Sequence, residues 1–400
     1  MKKTVRIVAG VACALALSCA MLAGCASTSG SSSASASASA SVSADQKAAD
    51  EVADLIDKIY VQQRTETTDA DCAAAKAAWD KLTPAQQELV EGENADPDYF
   101  GRDTGDATKD DPRNQDNIGD KEILVVSFGT SFNDSRVNDI KGIEDAIAAA
   151  NPDWSVRRAF TAQIIINHIQ ARDGEAIDNM DQALARAEKN GVKQLVVQPT
   201  HLMHGAEYDE MMEALKPYES KMQISVAEPM LGPVGATVTE TNDDKVAAAT
   251  AVVDAAVAAS KYASTDAAAA EKTAFVFLGH GTSHAAAITY SQMYNTFQGL
   301  NLPNVFVGTV EGEPEETEVE AVIDACKSAG YENVILRPLM VVAGDHANND
   351  MAGADDPESW YSMFTAAGFK SVENQISGMG GIPAVQDIYV AHTAAAIAAL

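Results

Sequence analysis

From residue 121 onward the chain alternates short apolar runs with amphipathic stretches, and this alternation predicts its elements. Eight runs read as strands: Ile123–Phe128, Ser155–Phe160, Gln194–Val197, Gln223–Ala227, Ala274–Leu278, Val305–Val310, Val334–Val342 and Ser371–Ile376, with Phe275–Leu278 and Val334–Val342 read as buried. Between them, a helical period covers Val137–Ala150, Glu175–Asn190, Tyr208–Leu215, Lys245–Ser260, Glu315–Ala329 and Pro357–Ala367. Strands alternating with helices imply parallel sheets covered on both faces. About 280 residues suffice for two such units. The expected fold is α/β, with two similar doubly wound parallel-sheet lobes over 121–262 and 263–400.

An internal repeat supports two lobes. ILVVSFGTSFNDS in the first half parallels AFVFLGHGTSHAA in the second, sharing an apolar strand followed by Gly-Thr-Ser. LVVQPTHLMHGAEYDEM parallels LRPLMVVAGDHANNDM. In this alignment Phe128 faces His280, and Glu207 faces His346. Two similar lobes would bring their strand ends around one cleft, a common place for a small-molecule site.

The chemistry gathers at those strand ends. His280 stands between Gly279 and Gly281 after one apolar run, Glu311 follows the next, and His346 follows the third. Ligands bind beyond the carboxyl ends of strands in open α/β sheets. Two imidazoles and a carboxylate delivered there make an open metal site. Each residue has a plainer reading alone: a single histidine is usually structural, and Glu311 heads the solvated run Glu313, Glu315, Glu316, Glu318. Asp345, Asn348 or Asp350 can orient the His346 ring. His201 and His204 suit metal binding or a structural or substrate-contact role equally. His168 reads as packing within a helical stretch Ala162–Gln170, His284 as lining the cleft, and His392 as surface on a C-terminal Ala-rich helix. Neither a phosphate loop nor a hydrolase nucleophile elbow is present in the sequence.

The first 120 residues differ in character. Residues 45–95 read as a small helical module, with Val52, Leu55, Ile56 and Ile59 at helical spacing, then an Ala-rich helix with Trp79 and Leu82, then Thr83-Pro84 opening a third helix. The module resembles small helical modules of bacterial surface proteins and carries no evident chemistry. Residues 96–120 read as an acidic linker, and 25–44 as a Ser/Ala tether. Residues 1–24 combine Lys2, Lys3 and Arg6 with an apolar stretch. Their ending in Leu22-Ala23-Gly24-Cys25 resembles the bacterial lipoprotein signal, which implies cleavage before Cys25, lipid on its thiol, and export to the outer face of the cytoplasmic membrane. Only Cys72 and Cys326 would remain free of the leader and anchor, so a disulfide framework is not expected. The formal net charge of −30 argues against nucleic acid as a partner, and leaves the lipid anchor as the means of membrane contact.

Residues 121–400 resemble the anaerobic sirohydrochlorin cobaltochelatases, the short single-chain class II chelatase family. ILVVSFGTS, RRAFTAQII, VVQPTHLMHGAEYD, FLGHGTSHAA, VFVGTVEGEP and LRPLMVVAGDHANNDMAG carry the resemblance, in the family's order. It implies two chelatase-like lobes around a tetrapyrrole cleft and insertion of Co2+ into sirohydrochlorin. It assigns the metal to His280, Glu311 and His346, with Glu207 as a further cleft acid and His280, His346 and Glu207 as the catalytic set. Phe128, Leu202, Met203 and Met340 are expected to pack the macrocycle. Thr130, Ser131, Ser283 and Arg136 are expected to meet its carboxylates, with Arg157 and Arg158 as further candidates. The implied partners are a tetrapyrrole and a divalent metal, Co2+ or else Fe2+ or Ni2+, as substrates. No organic cofactor is expected, and a homo-oligomer is compatible with the sequence. The rival reading is an exported metal or tetrapyrrole carrier without turnover.

Overall fold

A computed structural model describes residues 33–101 and 104–400. The expected signal segment, the expected lipid anchor at Cys25 and the start of the expected tether lie outside the described residues. The chain divides into two units, 1–102 and 103–400.

The first unit contains α1 (Ser33–Ile59), α2 (Thr68–Trp79) and α3 (Pro84–Gln87). Val52, Ile56 and Ile59 of α1 and Cys72, Ala75 and Trp79 of α2 are buried, at the expected helical spacing. Thr83 caps α3 with a reciprocal capping box to Gln86. Helix α1 begins at Ser33, inside the stretch expected to be a tether. Alanine has the highest helix propensity, and an alternating Ser/Ala sequence lacks the Gly and Pro that would stop a helix propagating backward. Among the described residues, no helix is long and apolar enough to cross a membrane.

The second unit holds the alternating elements. Its first half runs β1 (Lys121–Ser127), α4 (Asn133–Ser135), a π-turn over 136–141, α5 (Gly142–Ala150), β2 (Ser155–Phe160), α6 (Gln163–Asp173), α7 (Met180–Asn190), β3 (Gln194–Pro199), α8 (Ala206–Leu215), β4 (Gln223–Val226) and α9 (Asp243–Ala258). Its second half runs α10 (Thr265–Ala270), β5 (Thr273–Gly279), α11 (Ile288–Gly299), β6 (Val305–Thr309), α12 (Val319–Ser328), β7 (Asn333–Pro338), α13 (Trp360–Ala366), β8 (Ser371–Asn374) and α14 (Pro383–Ala398). The sheets are ordered β2-β1-β3-β4 and β6-β5-β7-β8, all pairs parallel. The second order is the first one repeated, as the sequence repeat requires.

Several boundaries moved. The apolar run expected to stay extended to Val342 leaves β7 after Pro338, which has no N–H to offer β8, although the Leu339 N–H still donates to the Leu278 carbonyl of β5 at 2.7 Å. Helix α7 starts at Met180, where Asn179 forms a capping box with Gln182, rather than at Glu175. From residue 104 the expected linker is part of this unit: the Asp110 side chain is fully buried and binds Arg136 at 2.6 Å and Arg158 at 2.6 Å.

Both faces of each sheet are covered. Outer layers pack α7 and α8 on the first sheet and α12 and α13 on the second. The inner faces share one apolar core that includes Ile123, Val125 and Val196, then Phe275, Phe277 and Ile335, with Val252 of α9 and Tyr389 of α14 among them. Lobe junction and core are therefore one body of packed side chains.

Candidate metal centre

The order of each sheet puts β1 and β5 at the reversal point, where a crevice opens beyond the strand ends. His280 is the first residue after β5. Two glycines make that position possible. A Cβ at Gly279 would lie 2.2 Å from the Tyr290 ring, and Gly281 has φ +92° with Glu311 Cβ 2.9 Å from where its own Cβ would fall. The Gly281 N–H donates to the Tyr290 hydroxyl at 3.1 Å. The end of β6 stays paired with this turn: the Glu311 N–H donates to the His280 carbonyl at 2.8 Å. That bond sets the Glu311 carboxylate 3.9 Å from His280 Nε2.

His346 arrives from the loop after β7, its ring edge-on to that of His280 with centroids 4.5 Å apart. Both imidazoles are held by their Nδ1. His280 Nδ1 is 2.9 Å from the Gly281 carbonyl, and His346 Nδ1 is 2.7 Å from Asp350 Oδ2. These partners are acceptors, so in the neutral ring each Nδ1 carries the proton and each Nε2 keeps its lone pair. Burial alone would lower the His346 pKa, but the hydrogen bond and charge of Asp350, with Asp345 and Glu311 behind it, hold it above the usual imidazole range. Asp350 is thus the orienting partner among the three residues expected for that role.

The first lobe secures the loop that carries His346. Asp139 Oδ2 accepts from the Ala343 N–H at 3.1 Å, and the Ser135 hydroxyl donates to the Ala343 carbonyl at 2.6 Å. Asp139 is 3% exposed, and burial pushes its carboxyl up to about 6 against the backbone donors of Ala343 and Gly381. Glu207 lies on the first turn of α8, exposed, and its charge bears on Tyr290 of the second lobe, whose hydroxyl burial pushes up to about 12. Near it, His284 accepts at Nδ1 from the Ala286 N–H and places Nε2 3.3 Å from Asp209 Oδ2, spanning from second lobe to first. Among the described residues, no three His, Cys, Asp or Glu side chains close a ready-made metal cage. The His280, Glu311, His346 group is an open array.

Other expectations divide. Phe128 is 46% exposed at the end of β1. Ser283 is exposed, while Ser131, Leu202 and Met340 are half-buried. Met203 instead sits in the shared core, and Thr130 is buried, its hydroxyl accepting from the Phe132 N–H. Neither is free to touch a macrocycle. The arginines are corrected outright. Arg136 binds Asp110 and Glu175, Arg157 binds Glu122, and Arg158 binds Asp110 and Glu144, all with fully buried guanidinium groups. A buried guanidinium needs these carboxylates to offset its desolvation, so none of the three reaches a substrate.

His201 and His204 do not form a metal pair. Both His201 ring nitrogens are buried without a hydrogen bond, and burial lowers its pKa to about 4. His204 Nε2 is 3.1 Å from Glu228. His168 lies on α6. His392 is not a surface residue: its ring bridges the Glu228 carbonyl and Asp244. Cys72 and Cys326 are buried, which pushes their thiols up to about 11 and about 12.

Two parallel sheets of one order, with two Nδ1-pinned histidines and a glutamate at the strand ends, define a two-lobed α/β protein of the chelatase class. Residues 121–398 match the family model Cobalt chelatase (CbiK), and the chain belongs to that family. It is 35% identical over 275 residues to the sirohydrochlorin cobaltochelatase of Salmonella typhimurium, covering 68% of this chain and 94% of that one. It is 28% identical over 283 residues to sirohydrochlorin cobaltochelatase CbiKC of Nitratidesulfovibrio vulgaris, covering 70% of this chain and 92% of the relative. Among solved structures, a sirohydrochlorin chelatase SirB of Bacillus subtilis in complex with cobalt matches with 15% identity and a TM-score of 0.44, over 69% of this chain and 94% of that one.

Proposed function

We propose that this protein inserts Co2+ into sirohydrochlorin, with His280, Glu311 and His346 receiving the metal. The observation that carries the reading is the convergence of two imidazoles whose Nδ1 atoms are both occupied, beside an exposed carboxylate. Metal insertion requires three things of the protein. It must replace water on the ion, hold the macrocycle next to the ion, and accept two pyrrole protons. The Nε2 lone pairs and Glu311 replace the water. Phe128, with Leu202 and Met340, offers the apolar face, and Ser131 and Ser283 offer hydroxyls for peripheral carboxylates. Glu207 is the exposed base across the cleft that takes protons. The open ligand array suits a metal that must leave with the product.

The same reading places the protein outside the cytoplasm, held to the membrane by lipid on Cys25; the Leu-Ala-Gly-Cys sequence supports this. The test is an anaerobic assay on the whole chain with sirohydrochlorin and Co2+, Fe2+ or Ni2+, following absorbance over many turnovers. Multiple turnovers with Co2+, lost in His280→Ala, are expected. Stoichiometric retention of metal or tetrapyrrole without turnover would replace the enzyme by a carrier.

A further inference from the structure

The repeated sheets make each lobe a control for the other. β3 ends in Gln198-Pro199 and β7 ends in Arg337-Pro338, so Gln198 and Arg337 occupy the same place. Gln198 is fully buried and saturated. Its amide nitrogen donates to the Pro199 and Glu228 carbonyls, and its oxygen accepts from Thr393 of α14. A neutral side chain is therefore enough to complete the fold at this position.

Arg337 is different. It is 5% exposed, yet its guanidinium, with five donors, makes a single hydrogen bond, to Gln375 Oε1 at 3.1 Å. The other buried arginines, Arg136, Arg157 and Arg158, have carboxylates at 2.6, 2.8 and 2.6 Å. Among the described residues Arg337 has no ion pair. Burial pushes its pKa down, and the charge of Asp139 opposes this from a distance. The guanidinium nitrogens that Gln375 leaves unpaired are reached from the open pocket, where a solute can meet them.

Arg337 lines a pocket of about 690 Å3 at the carboxyl ends of β7 and β8, open to solvent. One wall is the end of α9, Ala255, Ala258 and Ala259; another is Ile376 and Ile382. Pro383 begins the 16-residue α14 there, but the C-terminal end of the equally long α9 lines the same pocket, so the two helix dipoles oppose each other and the positive charge is that of the guanidinium. Asn374, also in the lining, has a buried Oδ1 with no hydrogen bond. Glu373 lies at the same pocket and disfavours a second negative charge on any occupant.

We propose that this pocket binds a small organic monocarboxylate, its carboxylate on Arg337 and its apolar body against the α9 alanines and the two isoleucines. The carboxylate matches the guanidinium fork, and the ligand would lie along a shallow groove open to solvent. The site is separate from the metal residues, and its occupancy does not depend on chelatase activity.

Isothermal titration of the whole chain with hexanoate, benzoate, 4-phenylbutyrate and indole-3-acetate tests this, with 4-phenylbutanol as the uncharged control. Saturable one-to-one binding of at least one carboxylate is expected, weakened about tenfold or more in Arg337→Gln and in Ala258→Trp, with no binding of the alcohol. Arg337→Gln copies the first lobe, whereas Ala258→Trp blocks the opening from an exposed position, so either variant decides if the other fails to fold. Absence of saturable binding to every carboxylate, equal binding by the alcohol, or unchanged affinity in a folded variant would overturn the proposal.

Discussion

His280, Glu311 and His346 were legible in the sequence because each follows an apolar run, and strand ends are where such folds keep their chemistry. The buried arginines were not. Whether an arginine faces a substrate or a carboxylate depends on residues far away in sequence, here Asp110 and Glu122, and no local pattern records those pairings. Two outcomes belong at this scale. His280→Ala should lose Co2+ insertion by more than the roughly 10–100-fold that removal of an orienting partner costs. It should keep its thermal transition, because the side chain is 48% exposed; a mutant of full activity would remove His280 from the site. Asp350→Ala frees the His346 ring to turn and should weaken Co2+ affinity about 10–100-fold, read by metal titration. Unchanged affinity would mean that Asp350 does not set the ring.

At the scale of elements, all eight strands were visible: β1, β3, β5 and β7, in the middle of their sheets, read as continuous apolar runs, whereas the half-exposed edge strands β4 and β8 showed through their place in the alternation with helices. The turns between strand and helix were less so. The π-turn over 136–141 leaves no mark in a helical period, and it is this turn that presents Asp139 to the loop of His346. Gly281 was noticed as a flank of His280, but its need for positive φ appears only with the structure. Gly281→Ala should cost about 1–3 kcal/mol, the range for a non-glycine held in a sparsely populated backbone region. It should also displace Glu311, so denaturant midpoint and metal affinity should fall together. A variant as stable as the parent would show that the turn relaxes freely.

At the scale of the whole molecule, the repeat foretold two lobes but not that they would share a core, because the apolar pattern does not say which inner face meets which. Asp139 reports on that junction. Its folded pKa, raised to about 6 from 3.8, means that the folded state holds a proton the unfolded chain releases. The stabilising effect of that proton is present below about pH 4 and is lost as pH rises to about 6, a change of about 3 kcal/mol. Asp139→Asn does not titrate, so its stability relative to the parent should climb across this window in urea titrations at pH 4 and pH 7. A constant difference would contradict the burial of the charge.

The shared core also decides what kind of tool this is. Lobes that met only through a flexible strap would work like tweezers, closing on a ring after it arrives. Here any hinge would have to pull Phe275 and Val252 out of the packing they share with Ile123 and Val196, and tightly packed interiors do not deform in this way. The protein is closer to a vice with fixed jaws. A flat macrocycle entering it must do the bending, so scattering curves with and without the ring should superimpose.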